Sequence, residues 1–403
     1  FKQKTAYEIR LSLVGSEMCI RDRAERVVGH VENNTTDQAE NILSIPTSDY
    51  TCKKRWNSEI NKIFKELPLM LALSIEIPNK GDYKSMEVVG IPVLITRDKD
   101  SKVHAFRNVC SHRGAPLAGE EIGNKNRFTC PYHGWTYSNQ GDLIGILEND
   151  KFGELDKSCN GLQVLPCEEF GGMIFVTLTP NLELNLDEFL GGMKSEIEHF
   201  KLQDWHYHGF KIIHGANWKI AFDGYLEGYH FSTAHKETIL PMTQQGIMDF
   251  SSFGPHLRIA FASTNIEEIH DLPKNEWWKK EGAGVDFVRT LLPNILISLG
   301  LGIGQIAQIL PGNTPDKNTT VLHYVAPETP KNEEDKAELD HFMNFLRDVV
   351  NDEDYALGLE IQRGLDSNSK ENVIFGKNER GNQYFHKYVD FFIDENIKKP
   401  PIL

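Results

Sequence analysis

The sequence has few cysteines, a deficit of basic residues and no charge-free run with the composition of a membrane helix. Six cysteines in 403 residues are too few for a disulfide-stapled secreted scaffold. The 43 Lys and Arg against 58 Asp and Glu leave a net charge of −15. This charge argues against nucleic acid as a partner and against docking on anionic lipid. The composition favours an acidic, globular, cytoplasmic protein without a nucleic-acid or membrane partner.

The longest uncharged stretch, Thr290 to Pro315, is long enough to raise the question of a membrane span. It contains Pro293, four glycines and two glutamines, and part of it alternates apolar residues as a strand does. We therefore expect a buried pair of strands here.

The chain is longer than one hydrophobic core usually accommodates, so two domains are expected. Residues 46–180 predict a helix over Tyr50–Leu71 and then a small all-β domain of short strands and glycine-rich loops. Residues 181–403 predict a mixed domain, in which Glu333–Leu365 carries the strongest helical stripe. Residues 1–45 are an N-terminal extension. Within it, residues 12–23 resemble translated adaptor sequence, so the first 25 residues are suspected to be non-native and are set aside.

The most informative residues are two matched pairs, Cys110-Ser-His112 and Cys130-Pro-Tyr-His133, with seventeen residues between them. Each pair offers a thiolate and an imidazole from a loop between predicted strands. A structural zinc site could use two Cys and two His, but zinc modules mostly use a Cys-x2–4-Cys knuckle. The alternative is a [2Fe–2S] cluster with two cysteines on one iron and two histidines on the other. The segments Cys110-Ser-His-Arg-Gly114 and Cys130-Pro-Tyr-His-Gly-Trp135 resemble the cluster-binding loops of Rieske proteins.

A second constellation follows Asn217-Trp-Lys219. Glu227 and His230 are three residues apart, which places them on one face of a helix. His230 and His235 are five apart, about 140° around an ideal helix, so both reach one metal only if the helix breaks there. Two histidines with one carboxylate form the non-haem iron(II) site that leaves positions open for O₂.

The long C-terminal helix is the expected donor of the carboxylate. Glu353 and Asp354 both fall on or beside its apolar stripe, whereas Asp348 and Asp352 point outward. A carboxylate on an inward face is destabilising unless it is paired or bound to metal. Helical geometry alone does not choose between Glu353 and Asp354.

Together the two constellations resemble the α (catalytic) subunit of Rieske non-haem iron oxygenases, the aromatic-ring-hydroxylating dioxygenase family, from about residue 45 onward. The resemblance implies an α+β fold with an N-terminal Rieske all-β domain and a helix-grip (START-like) catalytic domain built on an antiparallel sheet. It assigns Cys110, His112, Cys130 and His133 to the cluster.

The same resemblance assigns His230 and His235 to the catalytic iron, and it implies a third ligand eight residues before Gln362-Arg-Gly364, which is Asp354. It further implies that Glu227 links an iron histidine, His230, to His133 of a neighbouring subunit. Ring dihydroxylases usually have Asp at this bridging position, and several relatives that attack quaternary ammonium compounds have Glu.

The implied cofactors are a [2Fe–2S] Rieske cluster, a mononuclear Fe(II) and O₂ as co-substrate, with NAD(P)H acting indirectly through a reductase. The implied partners are a small organic substrate, a flavin reductase or ferredoxin or both, and further subunits in a homotrimer or an α3β3 assembly. The expected activity is hydroxylation, dihydroxylation or oxidative demethylation, with the substrate left open. Two other function classes remain: a Rieske electron carrier with an appended domain, and a zinc-binding interaction module.

The remaining positions give weaker expectations. Cys52, Cys159 and Cys167 are expected to be buried apolar residues. Apolar residues between the iron ligands in sequence are candidates for the lining of a substrate pocket, and plain core packing is the simpler interpretation of each of them. These candidates are Met242, Met248, Phe250, Phe261, Leu296 and Ile303.

Overall fold

The computed structural model describes residues 25–119, 121–271, 273, 284–300 and 302–403. The chain divides into two compact units. The first comprises Asn57–Phe189 and Ile197–Tyr207, and the second comprises Leu190–Glu196, His208–Leu403 and the described residues before Asn57. None of the helices in the described part of the chain is both long and apolar enough to cross a membrane.

The first unit is built from short antiparallel strands. They are β2 (Leu69–Leu73), β3 (Asp82–Val88), β4 (Ile91–Arg97), β5 (Val103–Arg107), β6 (Ile122–Asn124), β7 (Arg127–Thr129), β8 (Thr136–Ser138), β9 (Leu143–Gly145), β10 (Val164–Leu165), β11 (Cys167–Phe170) and β12 (Met173–Val176). Among the described residues they pair as β10-β5-β4-β3-β6, β11-β12-β2 and β7-β8-β9. Its helices are α4 (Asn149–Phe152) and α5 (Leu186–Leu190).

The second unit contains a large antiparallel sheet. Its strands are β13 (His206–Gly215), β14 (Thr243–Phe253), β15 (His256–Ser263), β16 (Val285–Leu291), β17 (Ile295–Gly300), β18 (Ile303–Pro311) and β19 (Asn318–Ala326). In the described chain their order is β13-β19-β18-β17-β16-β15-β14, so consecutive strands from β14 to β19 are neighbours. A separate pair joins β1 (Leu43–Pro46) to β20 (Asn372–Phe375).

The remaining helices belong to the second unit, except that α3 and α6 lie only partly in it. They are α1 (residues 25–33), α2 (Ser48–Thr51), α3 (Lys53–Glu59), α6 (Met193–Phe200), α7 (Trp218–Asp223), α8 (Glu333–Asp348), α9 (Ala356–Asp366) and α10 (Arg380–Ile393). Helices α7 and α8 both contact β18, and α7 contacts α9. The sheet and its helices therefore bring the end of α7 and the junction between α8 and α9 into one region, as the expected α+β architecture requires.

The start of the described chain packs on the second unit. Val27 and Val28 of α1 are buried in one cluster with Ala262 of β15. Arg26 donates two hydrogen bonds to the Asp249 carboxylate, at 2.8 and 2.7 Å. The suspected non-native residues before these lie outside the described residues, except for Glu25.

Three expectations from sequence were wrong in detail. The helix predicted over Tyr50–Leu71 consists of α2, α3 and a π-helical turn, Ile60–Phe64, and Leu69–Leu73 forms a fully buried strand after Pro68. The helix predicted over Glu333–Leu365 is interrupted by a π-helical segment, Val349–Tyr355. Helix α10 was not predicted, although its apolar face is buried.

The expected pair of strands in Thr290–Pro315 is present as β17 and β18.

The expectation of burial was wrong for two of the three remaining cysteines, Cys52 and Cys159, which are exposed. Cys167 is intermediate in exposure, and burial raises the pKa of its thiol to about 12. Cys52 lies between two short helices, and Cys159 ends a 3₁₀ turn, where its thiol donates to the Asp156 carboxylate. Short surface turns of this kind leave little apolar surface to cover a thiol.

Candidate metal centres and active site

The two cysteine–histidine loops have the same backbone hydrogen bonds. The Cys110 N–H donates to the Ala115 carbonyl and the Gly114 N–H donates back to the Cys110 carbonyl, at 2.9 Å each. The Cys130 loop repeats this arrangement with Trp135 and Gly134, at 2.8 and 3.0 Å. Both glycines have positive φ, +85° and +69°, which side chains other than glycine rarely adopt. The repeated turn presents each Cys-x-His or Cys-x-x-His pair in a similar way.

The two cysteines lie in the core of the first unit, and the two histidines are partly exposed and lie beside each other. Cys110 and Cys130 are 2% and 3% exposed and belong to one hydrophobic cluster. The His112 and His133 ring centroids are 4.5 Å apart, and Trp135 stacks on His112 at 4.9 Å. Burial and the neighbouring positive groups lower the pKa of His133, which favours its neutral form.

One buried nitrogen atom supports the interpretation of these loops as a metal-binding site. The Nδ1 atom of His112 is buried and has no hydrogen-bond partner among the described residues. Buried polar nitrogens normally have a partner, and metal ligation supplies one. Two thiols and two imidazoles on paired loops fit a [2Fe–2S] cluster with mixed ligands.

Tyr137 was missed as a functional residue by the sequence analysis. Its hydroxyl lies 3.2 Å from Cys110 Sγ and accepts a hydrogen bond from the Ser111 N–H at 3.0 Å. Burial and the neighbouring Cys110 thiol raise the pKa of Tyr137 to about 12, so the hydroxyl keeps its proton. The sequence signal for Tyr137 was weak. Tyr137 lies in β8, two residues after Trp135, and side chains two residues apart along a strand point to the same side.

The second cluster joins three ligands from two parts of the chain. Helix α7 ends at Asp223, before Glu227, and His230 lies in a 3₁₀ turn, Tyr229–Ser232. Neither histidine is therefore on an α-helix, and the helix ends earlier than the break that was expected between them. Asp354 comes from the π-helical segment Val349–Tyr355. One ligand atom each from His230, His235 and Asp354 lie within 4.8 Å of one another.

The distances within this cluster leave room for one ion. His235 Nε2 is 2.9 Å and His230 Nε2 is 3.5 Å from Asp354 Oδ1. Two imidazole nitrogens and one carboxylate on one side of an ion are the donor set of non-haem iron(II) sites. The residues present therefore fit a mononuclear iron.

The remote nitrogen of each histidine is held by a carboxylate. His230 Nδ1 donates to Glu227 Oε1, and His235 Nδ1 donates to Glu353 Oε2, both at 2.5 Å. Thr238 also donates to Glu353 at 2.7 Å. Such hydrogen bonds fix the tautomer and ring orientation of a metal-binding histidine, so both Nε2 atoms are directed at Asp354.

The π-helical segment places Glu353 and Asp354 around one histidine ring. Glu353 contacts Nδ1 of His235 while Asp354 contacts Nε2. A π-helix has more residues per turn than an α-helix, so positions assigned on an α-helical wheel shift along it. Asp348 and Asp352 are exposed, as expected. Sequence reasoning considered Glu353 only as an iron ligand. In the structure its carboxylate instead accepts the Nδ1–H of His235, and Asp354 faces the Nε2 of the same ring.

Glu227 is the second residue with a positioning role. Besides His230 Nδ1, its carboxylate accepts the backbone N–H groups of Tyr229 and His230. It is 8% exposed. Three donors on one buried carboxylate hold its charge in place.

Hydrogen bonds to carboxylates favour the protonated form of both histidines in the metal-free protein. Burial opposes the charge on His230, but hydrogen bonds to Asp354 and Glu227 raise its pKa to about 10. Burial also opposes a charge on His235, but hydrogen bonds to Asp354 and Glu353 outweigh it and raise the pKa of His235. Burial raises the pKa of Asp354, and the hydrogen bonds from both histidines more than offset this and lower it.

A cavity of about 210 Å³ adjoins this cluster. Its lining includes His230, His235 and Asp354 together with residues from five strands of the sheet. Of the pocket residues expected from sequence, Met242, Phe261 and Ile303 line this cavity. Met248, Phe250 and Leu296 are buried and do not line this cavity.

A second cavity, of about 260 Å³, lies on the side of Glu227 toward α9 and β20. It shares Glu227, His230 and Asp354 with the first cavity. Its rim includes Leu357, Ile361 and Ile374, which are 50%, 52% and 56% exposed. We call this second cavity with its rim the α9 groove.

The comparisons with known proteins agree with both centres. A family model for the Rieske [2Fe-2S] domain matches residues 68–164, and one for the ring hydroxylating alpha subunit (catalytic domain) matches residues 202–395. A solved quaternary ammonium Rieske monooxygenase in complex with L-carnitine has the same fold: the TM-score is 0.75 over 89% of this chain and 97% of that one, at 22% identity.

Two curated relatives show how far the sequence similarity extends. Toluate 1,2-dioxygenase subunit alpha of Pseudomonas putida is 32% identical over 225 residues, 53% of this chain and 49% of that protein. The carnitine monooxygenase oxygenase subunit of Escherichia coli (strain K12) is 28% identical over 332 residues, 80% of this chain and 84% of that protein. The match thus spans about half the length of the toluate enzyme subunit. The chain belongs to the Rieske non-haem iron oxygenase α subunits, because it matches both the Rieske [2Fe-2S] domain and the catalytic domain of the ring hydroxylating alpha subunit.

Proposed function

We propose that this chain is the terminal component of a multicomponent oxygenase that oxidatively demethylates a methylated ammonium compound. The observation that carries the proposal is the cluster of His230, His235 and Asp354 beside a cavity, in a chain that also has the Rieske loops. When bound, the two iron centres supply electron storage and O₂ activation. The protein's own groups bind and orient the substrate and hold the histidines.

The proposed ligand set is Cys110, His112, Cys130 and His133 for the cluster, and His230, His235 and Asp354 for the mononuclear iron. The orphaned Nδ1 of His112 and the convergent Nε2 atoms of His230 and His235 support it. Glu227 and Glu353 act as positioning residues, because each accepts the remote N–H of one iron histidine.

Electrons would reach the iron between subunits. Glu227 lines the α9 groove, whose rim exposes Leu357, Ile361 and Ile374. Leu357 and Ile361 belong to the apolar stripe of the long helix, so their exposure supports a covering partner. We propose that the Rieske loops of a second copy cover the groove, with His133 of that copy donating to Glu227. A homotrimer, or an α3β3 ring, would repeat this contact.

The substrate class rests on two supports. Several relatives that attack quaternary ammonium compounds have glutamate at the bridging position, as this chain has at Glu227, and one relative aligned over 80% of this chain is named carnitine monooxygenase. The cavity also offers the aromatic rings of Phe231 and Phe261. Aromatic faces attract methylated ammonium groups.

The reaction balances as follows. One N-methyl C–H bond, O₂, two electrons and two protons give an N-hydroxymethyl group and water, and the hydroxymethyl group then leaves as formaldehyde with one proton, giving the amine. A flavin reductase, with or without a ferredoxin, would supply the electrons from NAD(P)H. This electron source supports a cytoplasmic location.

The test uses anaerobically purified protein with a surrogate reductase, NADH and O₂. About three irons and two acid-labile sulfides per chain are expected. Choline, carnitine and glycine betaine form one substrate panel, and benzoate and toluate form the other. Formaldehyde equal to the O₂ consumed with the first panel supports the proposal. A cis-diol from the second panel and no formaldehyde from the first would refute demethylation, and two irons with no reconstitution by iron(II) would leave an electron carrier.

A further inference from the structure

Asp286 lies on the face of the sheet that forms the cavity beside the iron ligands. Asp286 of β16 is directly opposite Phe261 of β15. Two residues along β16, Val288 is opposite Ser298, and Ser298 is opposite Gln305 of β18. Directly opposed residues and residues two apart share one face of a sheet. All five residues line the cavity, so this face is its wall.

The Asp286 carboxylate has a single hydrogen-bond partner among the described residues. Ser263 Oγ donates to Asp286 Oδ2 at 3.1 Å. No basic side chain in the described part of the chain forms an ion pair with it. Burial raises the pKa of Asp286 despite the hydrogen bond from Ser263, so its charge is poorly compensated. A half-buried carboxylate that has one neutral hydrogen-bond donor and no ion-pair partner keeps an uncompensated charge, which is unfavourable.

The other carboxylates of the cavity have partners. Glu227 accepts three hydrogen bonds, and Asp354 faces both iron histidines. Among the described lining residues, Asp286 is therefore the carboxylate that remains for something bound in the cavity. A substrate can supply the missing charge.

Aromatic rings flank the same position. Phe261 is the cross-strand neighbour of Asp286, and the rings of Phe231 and Phe261 are 5.5 Å apart between centroids. A cation here would meet ring faces and a carboxylate together, where low polarity strengthens the attraction.

We propose that Asp286 is the specificity residue for a cationic substrate: its carboxylate pairs with the substrate's ammonium group and holds it between the sheet wall and the cluster of His230, His235 and Asp354. The inference rests on the proposed function. It assigns the recognition of the proposed substrate class to one side chain. A carboxylate needs no N–H donor to attract a charge, so fully methylated ammonium groups fit it.

The experiment compares a cation with its neutral isostere. Choline and 3,3-dimethylbutan-1-ol differ by a nitrogen-to-carbon replacement that removes the charge and keeps the shape. Their binding to the anaerobic holoprotein is measured by calorimetry for the wild type, Asp286→Asn and Asp286→Ala. We expect wild-type protein to prefer choline, Asp286→Asn to weaken choline binding at least tenfold, and binding of the alcohol to change less than twofold.

Two variants serve as controls. Ser263→Ala removes the hydrogen bond to Asp286 and keeps its charge, so the preference for choline should persist. Glu328→Gln removes one charge at a side chain that is 74% exposed and pairs with Lys331, so it should not alter binding of either probe. Iron and sulfide content, with circular dichroism, checks that each variant is folded and loaded.

The outcomes separate this inference from the proposed function. If wild-type protein binds choline no better than the alcohol, or if Asp286→Asn weakens both probes equally, the inference is wrong. If formaldehyde forms from the ammonium panel but the KM for choline is unchanged in Asp286→Asn, the function stands and the inference fails. If choline binding depends on Asp286 and no formaldehyde forms from any ammonium compound, the demethylation proposal fails and the binding role stands.

Discussion

Glu227→Gln tests the proposed electron path with little change of shape. The Glu227 carboxylate accepts hydrogen bonds from His230 Nδ1 and from the backbone N–H groups of Tyr229 and His230. Glutamine offers one acceptor oxygen, and its NH₂ group would face another donor. The buried site then keeps a donor without an acceptor and loses its negative charge.

The size of the effect follows from these contacts. A hydrogen bond to a charged group contributes about 1.5–3 kcal/mol, which corresponds to about 10- to 150-fold in an equilibrium or rate. Loss of a carboxylate behind a metal-bound histidine typically weakens metal affinity or activity about 10- to 100-fold. We expect both centres to fill at saturating iron(II), and electron transfer between them to slow by about a hundredfold or more.

The assay is a single turnover. The cluster is reduced anaerobically with one electron per chain and mixed with O₂ and substrate in a stopped-flow instrument, and its visible absorbance reports reoxidation. Glu353→Gln is the matched control, because Glu353 makes the same 2.5 Å contact to His235 without lining the α9 groove. It should weaken iron binding and leave the reoxidation rate of the iron-saturated protein near that of the wild type.

Two results would refute this reasoning. Reoxidation of iron-saturated Glu227→Gln at the wild-type rate would remove Glu227 from the electron path. Equal slowing in Glu353→Gln would mean that any loosened iron histidine slows the reaction, so the effect would not report a path.

Three further predictions concern the metal centres. Asp354→Ala should lose the mononuclear iron and keep the visible cluster spectrum, because the cluster ligands lie in the other unit. Iron(II) binding to protein stripped of that iron should release protons at pH 7, because the pKa of His230 is raised to about 10 and its proton must leave; iron affinity should therefore rise with pH. Tyr137→Phe should lower the cluster reduction potential by about 40 mV, since a neutral hydrogen bond to a cluster sulfur contributes about 1 kcal/mol for one electron.

Each has a direct measurement. Iron content after Asp354→Ala settles the first, and retained iron would point to Glu353 as the ligand. Calorimetry in two buffers of different ionisation enthalpy measures proton release, and identical heats in both would contradict the second. Redox titration followed in the visible spectrum measures the potential, and an unchanged or higher value in Tyr137→Phe would contradict the third.

The sequence alone determined the features that depend on short-range geometry. The cluster loops carry matched residues at fixed spacing, and each loop closes on itself through hydrogen bonds within six residues. The five-residue spacing of His230 and His235 required a helix break, and α7 ends before it. The alternation in Thr290–Pro315 predicted the strands β17 and β18. The cofactors followed from these local patterns.

Only the tertiary structure decided which distant side chains meet. Helical geometry left Glu353 and Asp354 open because it assumes an α-helical period, and the π-helical segment places them at opposite nitrogens of His235. Asp286 had no signal in sequence, because its neighbours in the cavity come from separate strands whose register sets the wall. A local period fixes what lies on one face of one element, whereas a binding site depends on the pairing of elements far apart in the chain.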